Sequence, residues 1–235
     1  MAKHIEDEVV YYYDLHPTEE DLMGESADHS ALVRYLMEVL TWLFHIYPCA
    51  IYENLNFYQT AFYQEKPLAP DIAVIRGVEF QRVRSWRVGK HGPAPHVVFE
   101  IASLETWETD LAEKPTKYGR MGVQEYFAYD PNDPTVFKDK PGRLLGWRLD
   151  PNQQEMGELP LRADGSLWSV QLESFLVPDG PFLRLEDRYG QRRLTKAEAE
   201  EQRAEAAERR AEAEAKRAEA LAEKLRSLGI DPNQL

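Results

Sequence analysis

Apolar residues change from a helical to a strand spacing near Pro48. Over residues 32–47 they recur at every third or fourth position, which predicts an amphipathic helix of about four turns. After Pro48 the apolar runs are shorter and bounded by turn residues, and they predict strands over residues 51–57, 71–75 and 97–101. The first half of the chain therefore predicts one helix followed by a set of strands.

The second half of the chain returns to alternating elements. A helix is predicted over residues 110–121, with Gly122 at the position of a helix C-cap. Further strands are predicted at residues 126–130, 144–149, 167–172 and 182–185. The order indicates an α/β or α+β fold, a mixed sheet flanked by helices.

The last forty residues have a different composition. From Lys196 the chain consists mainly of Ala, Glu, Arg and Lys in a seven-residue repeat, which predicts a long charged helix. We divide the chain into residues 1–194, a folded domain with an N-terminal arm, and residues 195–235, the helix. Alanine dominates the seam of the repeat and Glu214 interrupts it, so both a coiled coil and a single solvated helix stay open. The seam consists of Ala204, Ala207, Ala211, Glu214, Ala218, Leu221, Leu225 and Leu228.

Composition indicates the cellular compartment in which the protein is expected. Cys49 is the only cysteine, so neither an intrachain disulfide nor a cysteine-based zinc site can form, which favours a reducing compartment. No secretory segment opens the chain, and Arg34 and Glu38 interrupt the longest apolar run. We expect a soluble, cytoplasmic protein with no membrane partner. A homodimer through the folded domain or the C-terminal helix is one arrangement that the sequence allows.

The formal net charge is −13. Such a charge argues against loose, charge-driven binding to duplex nucleic acid, but it does not exclude a local basic groove. Residues 76–91 contain four arginines and a lysine with Glu79 as the only acid. A solvated loop and a phosphate-facing surface are equally good interpretations of this segment.

Glu100 is the first residue that calls for a chemical explanation. It is a carboxylate inside the apolar run 97–101, where an acid is costly unless it is paired or binds a metal. If the strands at 71–75 and 97–101 are antiparallel neighbours, Asp71 lies beside Glu100 at one edge of the sheet. Two converging carboxylates suit Mg²⁺ or Mn²⁺.

A lysine could complete this site. Lys114 shares a helix face with Asp110 and Tyr118, whereas Lys117 is rotated away from that face. We favour Lys114, with Lys117 as the competitor. Because Pro115 follows Lys114 directly, the helix is expected to begin late or to be kinked there. A lysine beside the ion can orient or deprotonate water and can neutralise charge that develops on phosphorus.

These residues, in this order, resemble the PD-(D/E)XK nuclease superfamily with its lysine moved onto the next helix. The closest resemblance is to the Uma-two family of restriction-endonuclease-like proteins, and it covers roughly residues 15 to 185 and the charged tail. The matching residues are Pro70-Asp71, Glu100-Ile101-Ala102-Ser103, Asp110-Leu111-Ala112-Glu113-Lys114, Tyr118, Gly122-Val123, Glu125-Tyr126 and Asp130-Pro131.

The resemblance implies a restriction-endonuclease-like fold and a site for Mg²⁺ or Mn²⁺. It implies that Asp71, Glu100 and the backbone carbonyl of Ile101 bind the metal and that Lys114 is the catalytic lysine. The implied activity is Mg²⁺-dependent hydrolysis of phosphodiester bonds by an activated water, with DNA as the substrate. One departure is Ser103-Leu104-Glu105-Thr106, where the family usually has Ser-Pro-Ser-Thr.

Simpler interpretations of the three residues stay open. Asp71 could be a turn acid that starts a strand, Glu100 could pair with an arginine, and Lys114 could be a solvated helix lysine. For the whole chain, the alternatives to a nuclease are a catalytically inactive nuclease-fold protein that binds or assembles through its C-terminal helix, and a hydrolase of small phosphoesters.

Overall fold

A computed structural model describes residues 27–59, 66–103, 106–152 and 155–228. The predicted N-terminal arm lies outside these residues. The chain divides into two compact units, Met1–Arg193 and Leu194–Leu235. The first unit contains helices α1–α3 and all of the strands that the structure describes, and the second contains helix α4.

The elements alternate along the first unit. The helices of the described chain are α1 (Ala27–Leu43), α2 (Trp107–Ala112), α3 (Lys114–Met121) and α4 (Lys196–Ser227). The strands are β1 (Cys49–Glu53), β2 (Asn56–Tyr58), β3 (Ile72–Arg76), β4 (Ser85–Arg87), β5 (Val97–Ile101), β6 (Glu125–Tyr129), β7 (Leu144–Asp150), β8 (Glu155–Glu158), β9 (Leu167–Ser169), β10 (Ser174–Asp179) and β11 (Phe182–Glu186).

A six-stranded mixed sheet forms the centre of the first unit, in the order β1-β3-β5-β6-β7-β8. β5 and β6 are parallel, and every other neighbouring pair in this sheet is antiparallel. Helices α2 and α3 connect the two parallel strands, which need such a crossover. The mixed α+β fold with a long C-terminal helix agrees with the prediction from the sequence.

The two faces of this sheet carry separate apolar clusters. The buried residues of α1 pack on one face against β3, β5 and β6. On the other face, Tyr118 and Met121 of α3 pack with Ala73, Val98 and Tyr126. Because every side chain of β5 and β6 is buried, these strands read as continuous apolar runs in the sequence. Glu100 is therefore an acid on a central strand.

Two elements that the sequence predicts as continuous are each divided in two in the structure, so these two predictions were wrong. The strand predicted at 51–57 is divided into β1 and β2, because Asn54 adopts a positive φ of 50° that turns the chain. The helix predicted at 110–121 is divided at Glu113 into α2 and α3. Pro115 lies in the first turn of α3, where its missing N–H costs nothing, but it would disrupt one continuous helix. The expected irregularity at Pro115 is thus a new helix start.

Two smaller sheets complete the first unit. β2 and β4 form a parallel pair, and β9, β10 and β11 form an antiparallel sheet. Glu125, buried on β6, accepts hydrogen bonds from the hydroxyl of Ser169 at 2.5 Å and the backbone N–H of Val170 at 2.9 Å, and pairs with Arg148 at 2.8 Å. These contacts fasten the turn after β9 to the central sheet.

The described part of the second unit contains a helix of 32 residues. Thr195 and Glu198 form a capping box at its start, since the Thr195 hydroxyl accepts from the Glu198 N–H at 3.2 Å and the Glu198 carboxylate accepts from the Thr195 N–H at 2.7 Å. The long charged helix agrees with the sequence prediction. Among the helices described, none is both long and apolar enough to cross a membrane.

Candidate functional site

Strand pairing brings Asp71 and Glu100 to the same edge of the sheet. β3 and β5 are antiparallel, with Ile72 opposite Phe99, so the next position outward sets Asp71 beside Glu100. The Asp71 carboxylate accepts a hydrogen bond from the backbone N–H of Ile101 at 2.6 Å. Asp71 is therefore bonded across to the strand that carries Glu100 and does more than start its own strand.

Glu100 is held by two donors from α3. Its side chain is 4% exposed, with Oε2 2.9 Å from the amine of Lys114. The hydroxyl of Tyr118 donates to Oε1 at 2.6 Å. The partner of Glu100 is thus a lysine, and the alternative of an arginine partner is wrong. Tyr118, which has no role predicted from the sequence, is a direct contact of the acid.

The structure separates the two candidate lysines. The Lys114 side chain is 21% exposed, and its amine bridges Glu100 and Oδ1 of Asp110, the latter at 2.8 Å. Lys117 pairs with exposed Glu113 at 2.6 Å. Lys114 reaches the acid because α3 begins at Lys114, which turns its first side chain toward the end of β5. It is not a solvated helix lysine.

Asp110 joins the site through Lys114. Its side chain is 2% exposed, and Oδ2 accepts a hydrogen bond from the Thr106 hydroxyl at 3.0 Å. The Thr106 hydroxyl is also 3.0 Å from that of Ser103. The four-residue spacing of Asp110 and Lys114 was the sequence signal for this pair, although the sequence assigned Asp110 no role.

His29 also borders the site. It is buried on α1, and its Nε2 lies 3.3 Å from Oδ1 of Asp71. None of the six histidines lies in a motif that the sequence could place. Only the packing of α1 against the sheet brings His29 to Asp71, so sequence reasoning missed it.

Comparison with known proteins identifies the family of this chain. Residues 19–162 match the family model Uma2, described as "Putative restriction endonuclease". The chain belongs to the Uma2 family. This membership supports a nuclease-like function, and Uma2 is the Uma-two family that the sequence resembles. No curated protein matches the sequence.

A solved structure gives a weaker likeness. A protein from Anabaena variabilis ATCC 29413, described as a "putative nuclease belonging to DUF820", shares 17% identity. The match covers 64% of this chain and 76% of the other, with a TM-score of 0.44. At this identity and score, the match carries no conclusion about residues or activity.

The protonation of the Uma2 site follows from its burial. Burial raises the pKa of Glu100 to about 8, with the Asp71 and Asp110 carboxylates adding to the rise and Lys114 opposing it. Burial alone would lower the pKa of Lys114, but the Glu100 and Asp110 carboxylates outweigh it and raise that pKa. Burial likewise raises the pKa of Asp110. Lys114 therefore stays positively charged at neutral pH.

The side chains present suit a divalent cation in charge and ligand type. When ionised, Asp71, Glu100 and Asp110 carry three negative charges, and Lys114 carries one positive charge. The four side chains then have two negative charges in excess, which a divalent cation would balance. Carboxylates are hard oxygen ligands, and each oxygen can accept from more than one partner. Within the described ranges, no three His, Cys, Asp or Glu side chains are close enough to form a metal cluster by themselves. Asp71 and Glu100 are the two carboxylates that the strand pairing brings side by side.

Proposed function

We infer that this Uma2 protein is a metal-dependent nuclease that hydrolyses phosphodiester bonds of DNA, with Asp71, Glu100 and Lys114 as its catalytic residues. The observation that carries this proposal is the buried contact of 2.9 Å between Glu100 and Lys114 beside Asp71. Burying two charges is costly, and stability alone does not favour retaining such a pair. Perturbed acids that converge next to a lysine are typical of functional sites.

Asp71, Glu100 and the carbonyl of Ile101 would hold Mg²⁺ or Mn²⁺. When bound, a divalent ion supplies Lewis-acid activation of water and neutralises phosphate charge. The hydrogen bond from Ile101 N–H to Asp71 keeps the two strand ends in register, which sets the spacing of the proposed ligands. His29, at 3.3 Å from Asp71, restrains the orientation of that carboxylate.

Lys114 acts as a fixed positive charge rather than as a base. The Glu100 and Asp110 carboxylates raise its pKa, which favours the protonated amine at neutral pH. A protonated amine can instead donate hydrogen bonds to the nucleophile and stabilise negative charge on the phosphate in the transition state. Asp110 also holds the amine, with Oδ1 at 2.8 Å.

Cleavage of a labelled DNA duplex with Mg²⁺, Mn²⁺ or EDTA tests the proposal. Asp71→Asn and Glu100→Gln keep the shape of each side chain but remove its charge, and each is expected to lower the rate by at least about 10²-fold. Glu158→Gln, at an exposed acid on the edge strand β8, is the matched control and should cleave normally. Metal-dependent cleavage that survives both site variants would exclude the assignment.

A second function follows from one feature of the site. Both Glu100 oxygens are already in contact with Lys114 and Tyr118, as expected of a nuclease fold that has become a binding or assembly module acting through α4. Titration calorimetry with Mg²⁺ separates the two. The nuclease requires binding that Asp71→Asn weakens, whereas the module requires no binding and a change in association when residues after Lys196 are removed.

A further inference from the structure

The basic segment between β3 and β5 contains two exposed arginines, Arg82 and Arg84, that have no partner among the residues described by the structure. From Arg76 to Gly92 it has five Lys and Arg residues and one acid. Arg76 donates to the backbone oxygen of Gln171 at 2.9 Å, and Arg87 is 8% exposed. Arg82 and Arg84 are exposed and make no side-chain hydrogen bond, ion pair or ring contact with any part of the chain that the structure describes.

Backbone hydrogen bonds connect the segment that contains these arginines to the strand end where Asp71 lies. The N–H of Asn54 donates to the backbone oxygen of Asp71 at 3.3 Å. Two residues later, Asn56 is the partner of Ser85 in the parallel pair of β2 and β4. β2 and β4 run in the same direction, so the residues before Ser85 lie at the same end of this pair as the residues before Asn56. Arg84 and Asn54 are therefore both at that end. Arg84 thus lies at the end of the β2–β4 pair that Asn54 connects to Asp71, and Arg82 precedes it by two residues.

The backbone on both sides of the arginines is fixed. The Tyr52 hydroxyl donates to the backbone oxygen of Gln81 at 2.9 Å and accepts from its N–H at 3.1 Å. On the other side, the Trp86 indole donates to the backbone oxygen of Pro93 at 2.9 Å, and its ring is fully buried. A segment held at both ends loses little conformational freedom when its side chains bind a ligand.

We propose that Arg82 and Arg84 bind backbone phosphates of duplex DNA and hold it against the Asp71 edge of the sheet. This assignment rests on the proposed nuclease function and names the surface that its substrate contacts. Guanidinium groups suit phosphate because they donate two parallel hydrogen bonds while keeping their charge. A chain with a net charge of −13 repels a polyanion over most of its surface. Attraction must therefore be concentrated where cations are free of carboxylates.

Fluorescence anisotropy with a short fluorescein-labelled DNA duplex in EDTA tests the surface, since binding is then measured without cleavage. Arg82→Ala/Arg84→Ala is expected to lower the affinity by about tenfold or more at low salt. It should also reduce the slope of log affinity against log salt concentration by about 1.8, which corresponds to two lost phosphate contacts. Arg210→Ala/Arg217→Ala, at exposed positions of α4, removes the same charge and should change neither quantity.

Three results would overturn the proposal. They are the absence of binding by the wild-type protein, equal losses in the two double variants, and no loss in the Arg82/Arg84 variant. Unchanged circular dichroism and melting temperature show that the double variants remain folded. The two proposals can fail separately. DNA binding through Arg82 and Arg84 without cleavage would reject the nuclease function but keep the binding surface. Cleavage with DNA affinity unchanged in both double variants would reject the binding surface but keep the nuclease function.

Discussion

Lys114 contacts two buried carboxylates at once. Its amine is 2.9 Å from Glu100 and 2.8 Å from Asp110, and those acids are 4% and 2% exposed. Removing one partner of a buried ionic group leaves uncompensated charge, which is far more costly than losing an exposed pair. The neighbouring Lys117, which is exposed, offers a direct comparison.

Lys114→Met is expected to lower the free energy of unfolding by about 3 kcal/mol. Lys117→Met should lower it by no more than about 0.5 kcal/mol, because its pair with Glu113 is exposed. Urea denaturation of both variants measures the difference. Similar losses in the two variants would mean that the Glu100–Lys114 contact does not form as the structure places it.

The loss in Lys114→Met should grow with pH. Lys114 opposes the rise in the pKa of Glu100, so its removal raises that pKa further above about 8. When folding raises the pKa of an acid, the stability that is present below the pKa of the unfolded chain is lost as the pH rises through the pKa of the folded protein. Denaturation at about pH 6 and about pH 9 should therefore give the larger deficit at the higher pH.

Asp110 is expected to position Lys114 rather than to contact the substrate. Asp110→Asn should lower kcat by about 10²-fold through displacement of the amine, with KM nearly unchanged. Glu108→Gln, at an exposed acid on α2, is the matched control. A change in KM alone would argue against this role.

At the scale of elements, the loop after β6 is organised by one buried acid. Asp130 is fully buried, and its carboxylate accepts hydrogen bonds from the N–H groups of Asn132 at 2.9 Å, Val136 at 2.6 Å and Phe137 at 3.1 Å, and from the Thr135 hydroxyl. In turn, the Asn132 amide donates to the backbone oxygen of Ala102 at 3.1 Å. The loop thereby supports the end of β5, where Glu100 lies.

This loop should contribute to acid denaturation. Burial alone would raise the pKa of Asp130, but its hydrogen bonds outweigh burial and lower it below 3.8. An acid whose pKa is lowered on folding contributes stability above the pKa of the unfolded chain. This stability is lost as the pH falls through the pKa of the folded protein. Asp130→Asn should cost about 2 kcal/mol at neutral pH and weaken the fall in stability below about pH 4. Asp133→Asn, at an exposed acid of the same loop, should leave the acid limb unchanged.

The elements that the sequence predicted best are those whose own residues determine them. β3, β5 and β6 are mostly apolar, and Pro70, Gly77 and Gly122 lie close to their boundaries. β8 has the sequence EMGE, which carries no strand pattern of its own, and it exists because β7 offers a pairing edge. Similarly, β10 contains Pro178, which local rules place outside most strands.

The residues of the candidate site also divide into those that local sequence patterns predict and those that only the tertiary fold brings together. Asp71 and Glu100 could be paired from the sequence, because antiparallel strands fix which ends are neighbours, and the four-residue helical spacing favoured Lys114 over Lys117. His29 lies 42 positions before Asp71, and nothing local to either residue signals the contact. The roles of Asp71, Glu100, Ile101 and Lys114 in catalysis and metal binding stay predictions.

At the scale of the whole molecule, local stability should follow the strand order. Every side chain of β5 and β6 is buried, whereas three of the four residues of β8 at the sheet edge are exposed. Hydrogen exchange followed by mass spectrometry should therefore show the slowest amides in β5 and β6 and much faster exchange in β8. Slow exchange throughout β8 would contradict this order.

The same measurement addresses the second unit. α4 is exposed along most of its length, including Leu221, and Leu228 directly after the helix is exposed as well. A single solvated helix should exchange quickly at every concentration, since most helical stability in proteins comes from packing. A coiled-coil dimer would instead protect its last turns more as the protein concentration rises.

Glu100 and Lys114 belong to different elements, and this has a consequence for how such proteins can be found and compared. The two side chains meet in space, yet fourteen positions separate them in the chain, and the intervening segment includes a connection between a strand and a helix. Surface connections tolerate insertions and deletions, so the interval between acid and lysine is free to differ among homologous sequences while the contact persists. A search pattern of fixed spacing would overlook those sequences. A query that specifies an acid on a central strand, facing a lysine in the first turn of the next helix, would retain them.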